Sequence, residues 1–488
     1  MSESTPGEGP RFGTAEPADG SQSTRGLRLP LSLIGLLHGL TLGSLLPVLP
    51  LFVHRTLGYS WLATSVVLSS LAAGILGGPR LMAVVRRLQL GPQLGLALSH
   101  LAAAGIVMAL AWYRYAGDGP DGEVEGRVPA PFWTAIGCGL YALAVAPALQ
   151  LMPELARRSF SGPGAQSSRT WRLWVAVGFV LPAWISETVL IRVPALRDSV
   201  LSQDALLMVC GWGGLLTAVV AMCGRLESSS EFPVSPADVP AAKTTFGTGL
   251  AAALVCLVCV QKCHHLWTAP YFDAVVRRSL SAEPIVHRLV VVSQVFEVLG
   301  LCLLTGIMRL TGVRLLMLAG AFAWVARAML LSWLEAAPLR GGPVPDTAWS
   351  AQVQVGVLCL AQVLYGFGLV SVFGALGTIV NRRSACDSGT RTAILVGAAT
   401  GSGVLFGGIL AGTLVDGMLT ADGAASTVLT PFLQTMPEAI NVGITWPLHG
   451  WGGLWLFSAA PAAMAVLILM LAPFPGRPEP PGVDAEPT

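Results

Sequence analysis

Charged residues are scarce in this chain of 488 residues. Lys, Arg, Asp and Glu together make up 11% of it, whereas hydrophobic residues make up 53%. A typical soluble domain carries about 25% charged residues, so this composition excludes an ordinary soluble domain. The formal net charge of +2 gives no indication of nucleic-acid binding, and we expect no nucleic-acid partner.

Features of enzymes and of disulfide-rich secreted proteins are also missing. The sequence has no nucleophile–base motif and no phosphate-binding loop, so we expect neither an enzyme nor a cofactor. Eight of the nine cysteines lie in apolar stretches and Cys386 lies in a polar loop, which argues against a disulfide framework. Residues 1–26 lack the apolar core of a signal peptide, and both they and residues 474–488 have the composition of disordered tails.

Long apolar stretches make up most of the chain instead. A membrane-spanning helix needs roughly 20 mainly apolar residues, and the sequence contains twelve such stretches. We number them as spans 1 to 12 and predict an all-α membrane protein. The spans are 31–53, 61–79, 90–112, 131–153, 171–191, 204–223, 248–271, 285–308, 313–334, 353–380, 391–415 and 447–472.

A polar segment divides the spans into two groups of six. Residues 225–247 include Ser228–Ser230 and three prolines, and we predict a cytoplasmic linker there. It joins an N-terminal half, 27–224, to a C-terminal half, 248–473. Two six-helix halves in parallel repeat are the plan of major facilitator transporters, whose substrate site lies at the midplane between the halves.

Short repeated motifs indicate that the two halves arose by duplication. Each motif occupies the same position in its half, which is the feature that internal repeats share. The repeated pairs are Glu154–Ser159 after span 4 with Val380–Ser384 after span 10, and Arg87-Leu88 after span 2 with Arg309-Leu310 after span 8.

Pairs of basic residues indicate the orientation in the membrane. Arg86-Arg87, Arg157-Arg158 and Arg382-Arg383 follow spans 2, 4 and 10, and therefore share one side of the membrane. Cytoplasmic loops carry an excess of Lys and Arg. We therefore predict a multi-pass protein of the cell membrane with both termini in the cytoplasm.

Ionisable residues inside the apolar spans indicate a polar site within the membrane. A charge at the bilayer centre costs at least ~2.5–3.5 kcal/mol, so such residues normally face a partner or a water-filled cavity. The six residues concerned are Arg172, Lys262, His264, His265, Glu297 and Arg327.

Span 8 carries the acidic member of this group. Ser293, Gln294 and Glu297 are spaced three and four residues apart, so they share one helix face. A carboxylate there can carry a proton or bind hydroxyl groups, and we predict this role because intramembrane acids are usually functional. The alternative is a structural carboxylate paired with Arg327 of span 9.

Span 7 carries basic residues and cysteines. Lys262 and His265 share a face and can pair with Glu297, contact substrate or relay protons. The cysteines at 256, 259 and 263 raise the alternative of a zinc or copper site, because thiolates and imidazoles bind these metals. Their spacing matches no closed zinc motif, so we predict no metal and interpret them as small hydrophobic residues.

Spans 5 and 10 add polar and aromatic candidates. Arg172 and Phe179 lie along one face of span 5, and the alternative for Arg172 is an arginine that reaches the membrane surface. Tyr365 in span 10 suits a ring or a sugar, with a packing tyrosine as the alternative. His38 in span 1 either is buried between helices or lines the cavity.

Glycine patterns predict close helix contacts in spans 1 and 11. Small residues four positions apart allow two helices to approach closely, and packing is the interpretation we prefer over contact with substrate. The residues are Gly35, Gly39 and Gly43 in span 1, and the pairs Gly397/Gly401, Gly403/Gly407 and Gly408/Gly412 in span 11.

With these residues the chain resembles the nucleoside:proton symporter family of the major facilitator superfamily. The resemblance covers most of the chain at low identity. It rests first on Arg172-x-Trp174-x3-Gly178-Phe179-x4-Trp184 in span 5 and Ser293-Gln294-x2-Glu297 in span 8. Further matching residues are Ser69-Ser70-Leu71, Pro79, Arg309, Gly312, Arg314, Ala323-Trp324, Arg327, Tyr365-Gly366 and Gly407-Gly408.

The resemblance implies proton-driven uptake of nucleosides. It implies substrate contacts for Arg172, Gln294, Glu297 and Tyr365, and it aligns a family phenylalanine with Phe179. The chain departs from the family in three places. An acid of span 10, associated with proton coupling, is replaced by Val370, polar amides of span 7 fall near Lys262 and His265, and an acidic loop between spans 2 and 3 is replaced by Arg86-Arg87.

We therefore predict a monomeric secondary transporter that imports a nucleoside or a similar polar small molecule together with protons. Its predicted substrate-binding residues are Arg172, Phe179, Lys262, His265, Gln294, Glu297 and Tyr365, and Glu297 is the predicted proton carrier. The alternatives are a sugar or drug carrier of the same fold and a membrane sensor that does not transport. Fold alone does not decide among them.

Overall fold

The computed structural model describes residues 20–47, 49–115, 130–159, 167–192, 203–224, 247–279, 285–336, 351–384, 389–419 and 450–471. Within these ranges the chain is helical. Its thirteen longer helices are α1 (Gly20–Leu45), α2 (Trp61–Ser69), α3 (Ala72–Arg87), α4 (Pro92–Tyr115), α5 (Pro131–Ser159), α6 (Ser167–Arg192), α7 (Gln203–Cys223), α8 (Thr248–Ser279), α9 (Ile285–Ala336), α10 (Ala351–Leu369), α11 (Ala375–Ser384), α12 (Gly389–Leu419) and α13 (Gly450–Leu471).

The lengths and hydropathies of these helices are those of a multi-pass membrane protein. In the described part of the chain, nine helical segments are long and apolar enough to cross a membrane, and three shorter apolar helices cover 29–45, 171–182 and 291–304. Each of the twelve overlaps a different predicted span. The predicted all-α membrane fold is confirmed, and the count of twelve crossings stays a prediction.

Three helices are interrupted at positions that matter for the site. Span 2 is broken between α2 and α3 at Ser70 and Leu71. Helix α9 contains spans 8 and 9 in one run, with a kink at Gly312, whose φ of 77° suits glycine. Span 10 passes from α10 to α11 through a π-helical turn, Val370–Gly374. Such turns occur frequently at functional sites.

Glycines bring helices of the N-terminal half into close contact, as predicted for span 1. A Cβ at Gly39 or Gly43 would overlap main-chain atoms of Val175 and Phe179 on α6, and a Cβ at Gly178 would overlap the main chain of Leu36 on α1. The crossing of α1 and α6 therefore requires glycine on both helices.

The glycines of α12 form two separate contact faces. Gly403 and Gly407 pack on α8, where a Cβ at Gly407 would lie 2.7 Å from Cys259 Cα. Gly401 and Gly412 pack on the N-terminal half, and a Cβ at Gly412 would lie 2.5 Å from Ser65 Cβ. One helix thus contacts both halves through surfaces that lack side chains, which allows close approach and sliding.

The halves meet along two helix pairs, because α12 packs on α2 and α3 while α6 packs on α9. The predicted tails and linker fall largely outside the described residues, since 1–19, 225–246 and 472–488 are not among them. The predicted half boundaries accordingly stay predictions.

Candidate functional site

Glu297 and Tyr365 lie side by side where α9 packs on α10. A Cβ at the neighbouring Gly366 would overlap the carbonyl oxygen of Ser293 and lie 3.2 Å from Glu297 N, so the helices touch main chain to main chain. Both side chains are half-buried, and Glu297 lies within electrostatic range of the Tyr365 hydroxyl. The close packing at a glycine thus holds the carboxylate beside the tyrosine.

Arg327 of α9 supports this site from behind and is not paired with Glu297. Its Nη2 donates a 2.8 Å hydrogen bond to Thr268 Oγ1 of α8. Its guanidinium carbon lies 4.8 Å from the ring centroid of Tyr365 and 5.0 Å from that of Trp455. The positive charge therefore faces a hydroxyl and two aromatic rings, an arrangement that favours a cation. Within the described residues, no ion pair joins Glu297 to a basic side chain.

His264 lies at the centre of an aromatic cluster in the C-terminal half. Its ring centroid is 5.8 Å from that of Tyr365, 5.5 Å from that of Trp455 and 6.1 Å from that of Trp324. The side chain is fully buried, and neither ring nitrogen has a hydrogen-bond partner among the described residues. The sequence showed His264 as an intramembrane histidine, but gave no sign that Trp455 of α13 would pack against it.

Lys262 reaches across the boundary between the two halves. Its ammonium group donates a 3.2 Å hydrogen bond to the carbonyl oxygen of Leu68 on α2. That carbonyl lies at the helix break, where it also accepts a 3.3 Å bond from Leu71 N instead of a regular i+4 bond. A broken helix in a transporter offers main-chain carbonyls to cations in this way.

His265 makes a second contact between the halves. Its ring donates to the main-chain carbonyl of Leu46, just after the end of α1. Asp416 of α12 adds a third contact, because its Oδ2 accepts a 3.1 Å hydrogen bond from Leu62 N at the start of α2. We call the end of the bundle where α1 ends and α2 begins the Leu45 end. Side chains of the C-terminal half bind main-chain groups of the N-terminal half toward this end, so the halves are joined there.

Arg172 and Phe179 lie on α6, as the sequence predicts, but in different surroundings. The Arg172 guanidinium lies against α11, since a Cβ at Gly377 would be 2.7 Å from Nη2. Arg172 is half-buried and contacts the opposite half. The Phe179 main chain packs on Gly43, and its side chain is half-buried.

Gln294 and Val370 occupy positions of α9 and of the π-helical turn. Gln294 is 5% exposed, and its Oε1 has no hydrogen-bond partner among the described residues. Val370 is buried against Gly300 of α9, where a Cβ would lie 3.1 Å from Val370 Cγ2. This contact is apolar, so no carboxylate lies where the family pattern places one.

A histidine pair in the N-terminal half was not predicted. His38 Nδ1 lies 3.1 Å from His100 Nε2, and His100 Nδ1 lies 3.0 Å from the carbonyl oxygen of Leu96. The carbonyl can only accept, so His100 Nδ1 donates and its Nε2 accepts from His38. Both rings are buried, which places His38 between helices, one of the two locations that the sequence left open.

The cysteines of α8 do not assemble with other ligands in the described part of the chain. Cys259 and Cys263 lie beside each other, and Cys263 Sγ is 3.7 Å from the carbonyl oxygen of Gly407. No group of three or more His, Cys, Asp or Glu side chains that can hold a metal ion occurs among the described residues. The cysteines pack against the glycine face of α12.

Comparison with known proteins identifies the fold. No protein-family model and no curated protein matches the sequence. Among solved structures, the nucleoside transporter NupG matches with a TM-score of 0.62 and 17% identity over 91% of this chain and 98% of that one. Its D323A mutant matches with a TM-score of 0.64, 17% identity and coverage of 91% and 99%.

A second kind of transporter has the same architecture. A bacterial homologue of the human drug peptide transporters PepT1 and PepT2 matches with a TM-score of 0.57 and 14% identity over 92% of this chain and 97% of that one. Similarity at such low identity establishes architecture and leaves substrate open. The chain is therefore a multi-pass membrane protein with the major facilitator fold shared by these transporters.

Proposed function

We propose that this protein is a secondary active transporter of the cell membrane. It imports nucleosides or similar polar small molecules with protons, by alternating access between two six-helix halves at 27–224 and 248–473. It works as a monomer with both termini in the cytoplasm. The observation that carries the proposal is the Glu297 carboxylate, half-buried beside Tyr365 and without a basic partner among the described residues.

A carboxylate in this position suits proton transfer. A carboxylate held by a fixed cation stays charged, whereas one without such a partner binds and releases a proton as its surroundings change. The structure gives Arg327 other partners, Thr268, Tyr365 and Trp455. Glu297 therefore remains available to carry a proton and to bind a substrate hydroxyl.

The proposed substrate contacts come from both halves. Gln294 and Tyr365 of the C-terminal half form hydrogen bonds with the substrate, and Arg172 and Phe179 of the N-terminal half bind and stack on it. Support for this arrangement comes from the pairing of α6, which carries Arg172 and Phe179, with α9, which carries Glu297. A site whose residues belong to both halves couples substrate binding to their relative movement.

The contacts at the Leu45 end suit alternating access. Lys262 and His265 bind carbonyl groups of Leu68 and Leu46, and these bonds break when the halves separate there. Lys262 and His265 then turn toward the substrate, which is the role that the sequence predicts for them. The exchange of carbonyl groups for substrate stabilises each state in turn.

Uptake into proteoliposomes tests the proposal. Purified protein should accumulate labelled uridine or adenosine above the external concentration when the interior is alkaline, and a protonophore should abolish the accumulation. Liposomes without protein are the control. The absence of uptake for nucleosides, nucleobases, sugars and drugs alike would contradict transport and favour the sensor.

A proton-independent facilitator is the second candidate, and the apolar contact between Val370 and Gly300 favours it. With no carboxylate at Val370, coupling depends on Glu297 alone. Uptake that equilibrates uridine but ignores both the protonophore and the external pH would identify the facilitator.

A further inference from the structure

The intramembrane charges of this protein do not balance. Within the described helices, Arg172, Lys262 and Arg327 are the cationic side chains in the interior, and Glu297 is the acidic one. The other described acidic residues of known exposure, Glu335 and Asp416, lie near helix ends. An uncompensated charge in a low-dielectric interior is costly, so the excess of cations requires an explanation.

The partners of the three cations are neutral. Lys262 binds the carbonyl of Leu68, and Arg327 binds the hydroxyl of Thr268 and two aromatic faces. The Arg172 guanidinium lies against the main chain at Gly377. Dipoles and rings stabilise a cation only partly, so each site remains attractive to an anion.

Arg327 also has donors to spare. It is fully buried, and its Nε and Nη1 have no hydrogen-bond partner among the described residues. Buried donors are rarely left unpaired, and each one that is unpaired needs an explanation. Tyr365 lies directly over the guanidinium and is itself half-buried, so the field of Arg327 extends through one ring to the proposed substrate site.

We propose that the substrate is an organic anion, a ring compound of the nucleobase or nucleoside class that carries an ionised carboxylate. The inference rests on the proposed function and names the charge of the molecule transported. The carboxylate supplies the negative charge that the interior lacks, and Lys262 and Arg172 bind it in turn as the halves open and close. The ring stacks on Tyr365 and Phe179.

The same charges fix the expected coupling. Glu297 is the one acidic side chain in the described interior, so one proton accompanies each substrate. One proton and one monovalent anion cross together as a neutral pair. Transport is therefore electroneutral, and its rate does not respond to the membrane potential.

A matched pair of substrates tests this inference. Orotate and uracil have the same pyrimidine ring and differ by one carboxylate. In proteoliposomes with an alkaline interior, labelled orotate should be taken up at least ten times faster than labelled uracil, a preference of about 1.4 kcal/mol. A potassium diffusion potential of either sign, set with valinomycin, should leave orotate uptake unchanged.

Variants of Lys262 identify the origin of the preference. Lys262→Gln should reduce the orotate-to-uracil ratio at least threefold, whereas Lys262→Arg should preserve it. Arg80→Gln removes an equal charge from an exposed position and should leave the ratio unchanged. Because the ratio compares two substrates on one protein, it does not depend on the amount of folded transporter.

Each possible outcome separates the two proposals. Accumulation of uracil or uridine, with no uptake of orotate and no competition by it, overturns the anionic substrate and leaves proton-coupled transport intact. Strong dependence of orotate uptake on potential overturns the neutral pair. Failure to take up any nucleobase or nucleoside overturns the proposed substrate class and this inference with it.

Discussion

The contact between Lys262 and Leu68 makes a quantitative prediction about the movement of the two halves. We replace Lys262 by Met, which keeps the length of the side chain and removes its hydrogen-bond donors. A hydrogen bond from a charged group contributes about 1.5–3 kcal/mol. The Leu68 carbonyl retains its bond from Leu71 N, so the lower value applies. That value, about 1.4 kcal/mol per factor of ten, corresponds to a shift of roughly tenfold toward the state in which the Leu45 end is open.

Cysteine accessibility measures this shift. Ser69 lies one residue from Leu68, is 2% exposed, and faces Gly408 on α12. In a background without native cysteines, Ser69→Cys should react with a membrane-impermeant maleimide roughly ten times faster when Lys262 is Met, if opening is fast relative to labelling. Lys262→Arg, which keeps donors at this position, should react at the rate of the parent. Equal rates for Met and Lys at 262 would refute the assignment of this bond to the closed end.

Two further predictions concern packing and topology. Gly407→Leu should destabilise the protein by about 1–3 kcal/mol through overpacking, since its Cβ would lie 2.7 Å from Cys259 Cα. Thermal unfolding in detergent checks this, with Gly356→Leu as the control because nothing lies within 4 Å of a Cβ there. For topology, cysteines near Asp121 should be labelled from outside the cell and cysteines near Ser230 only from inside, and labelling of both from one side would contradict the assignment.

The fold could be predicted because membrane helices are encoded locally. Each apolar stretch of about 20 residues satisfies its own backbone hydrogen bonds, so length and hydropathy locate it without knowledge of its neighbours. The close contacts at Gly39 and Gly407 could be predicted for the same reason, since a spacing of four residues defines a helix face. The partners of those faces could not.

The partners within the site depend on tertiary packing, and here the sequence was less informative. Spacing placed Gln294 and Glu297 on one face, and the structure brings Glu297 beside Tyr365. Spacing could not decide whether Arg327 pairs with Glu297 or with Thr268, because both are polar groups on neighbouring helices. The structure gives Thr268 as the partner.

The role of Lys262 was missed for a different reason. Its partner is a main-chain carbonyl at a helix break, and main-chain groups carry no residue-specific signal. Ser70 at the break is flanked by apolar residues and resembles the interior of a span. A polar pair such as His38 and His100 is equally hidden, because 62 residues separate its members.

Accumulation of substrate by the Glu297→Gln variant tests the central claim most directly. An inward proton gradient of one pH unit provides about 1.4 kcal/mol, so coupling to one proton concentrates an uncharged substrate up to about tenfold. Proteoliposomes with wild-type protein or with Glu297→Asp should approach this limit with the transported substrate. Glu297→Gln should reach no more than the external concentration and still exchange internal for external substrate. Accumulation by Glu297→Gln to the wild-type level would contradict the assignment of Glu297 as the proton carrier.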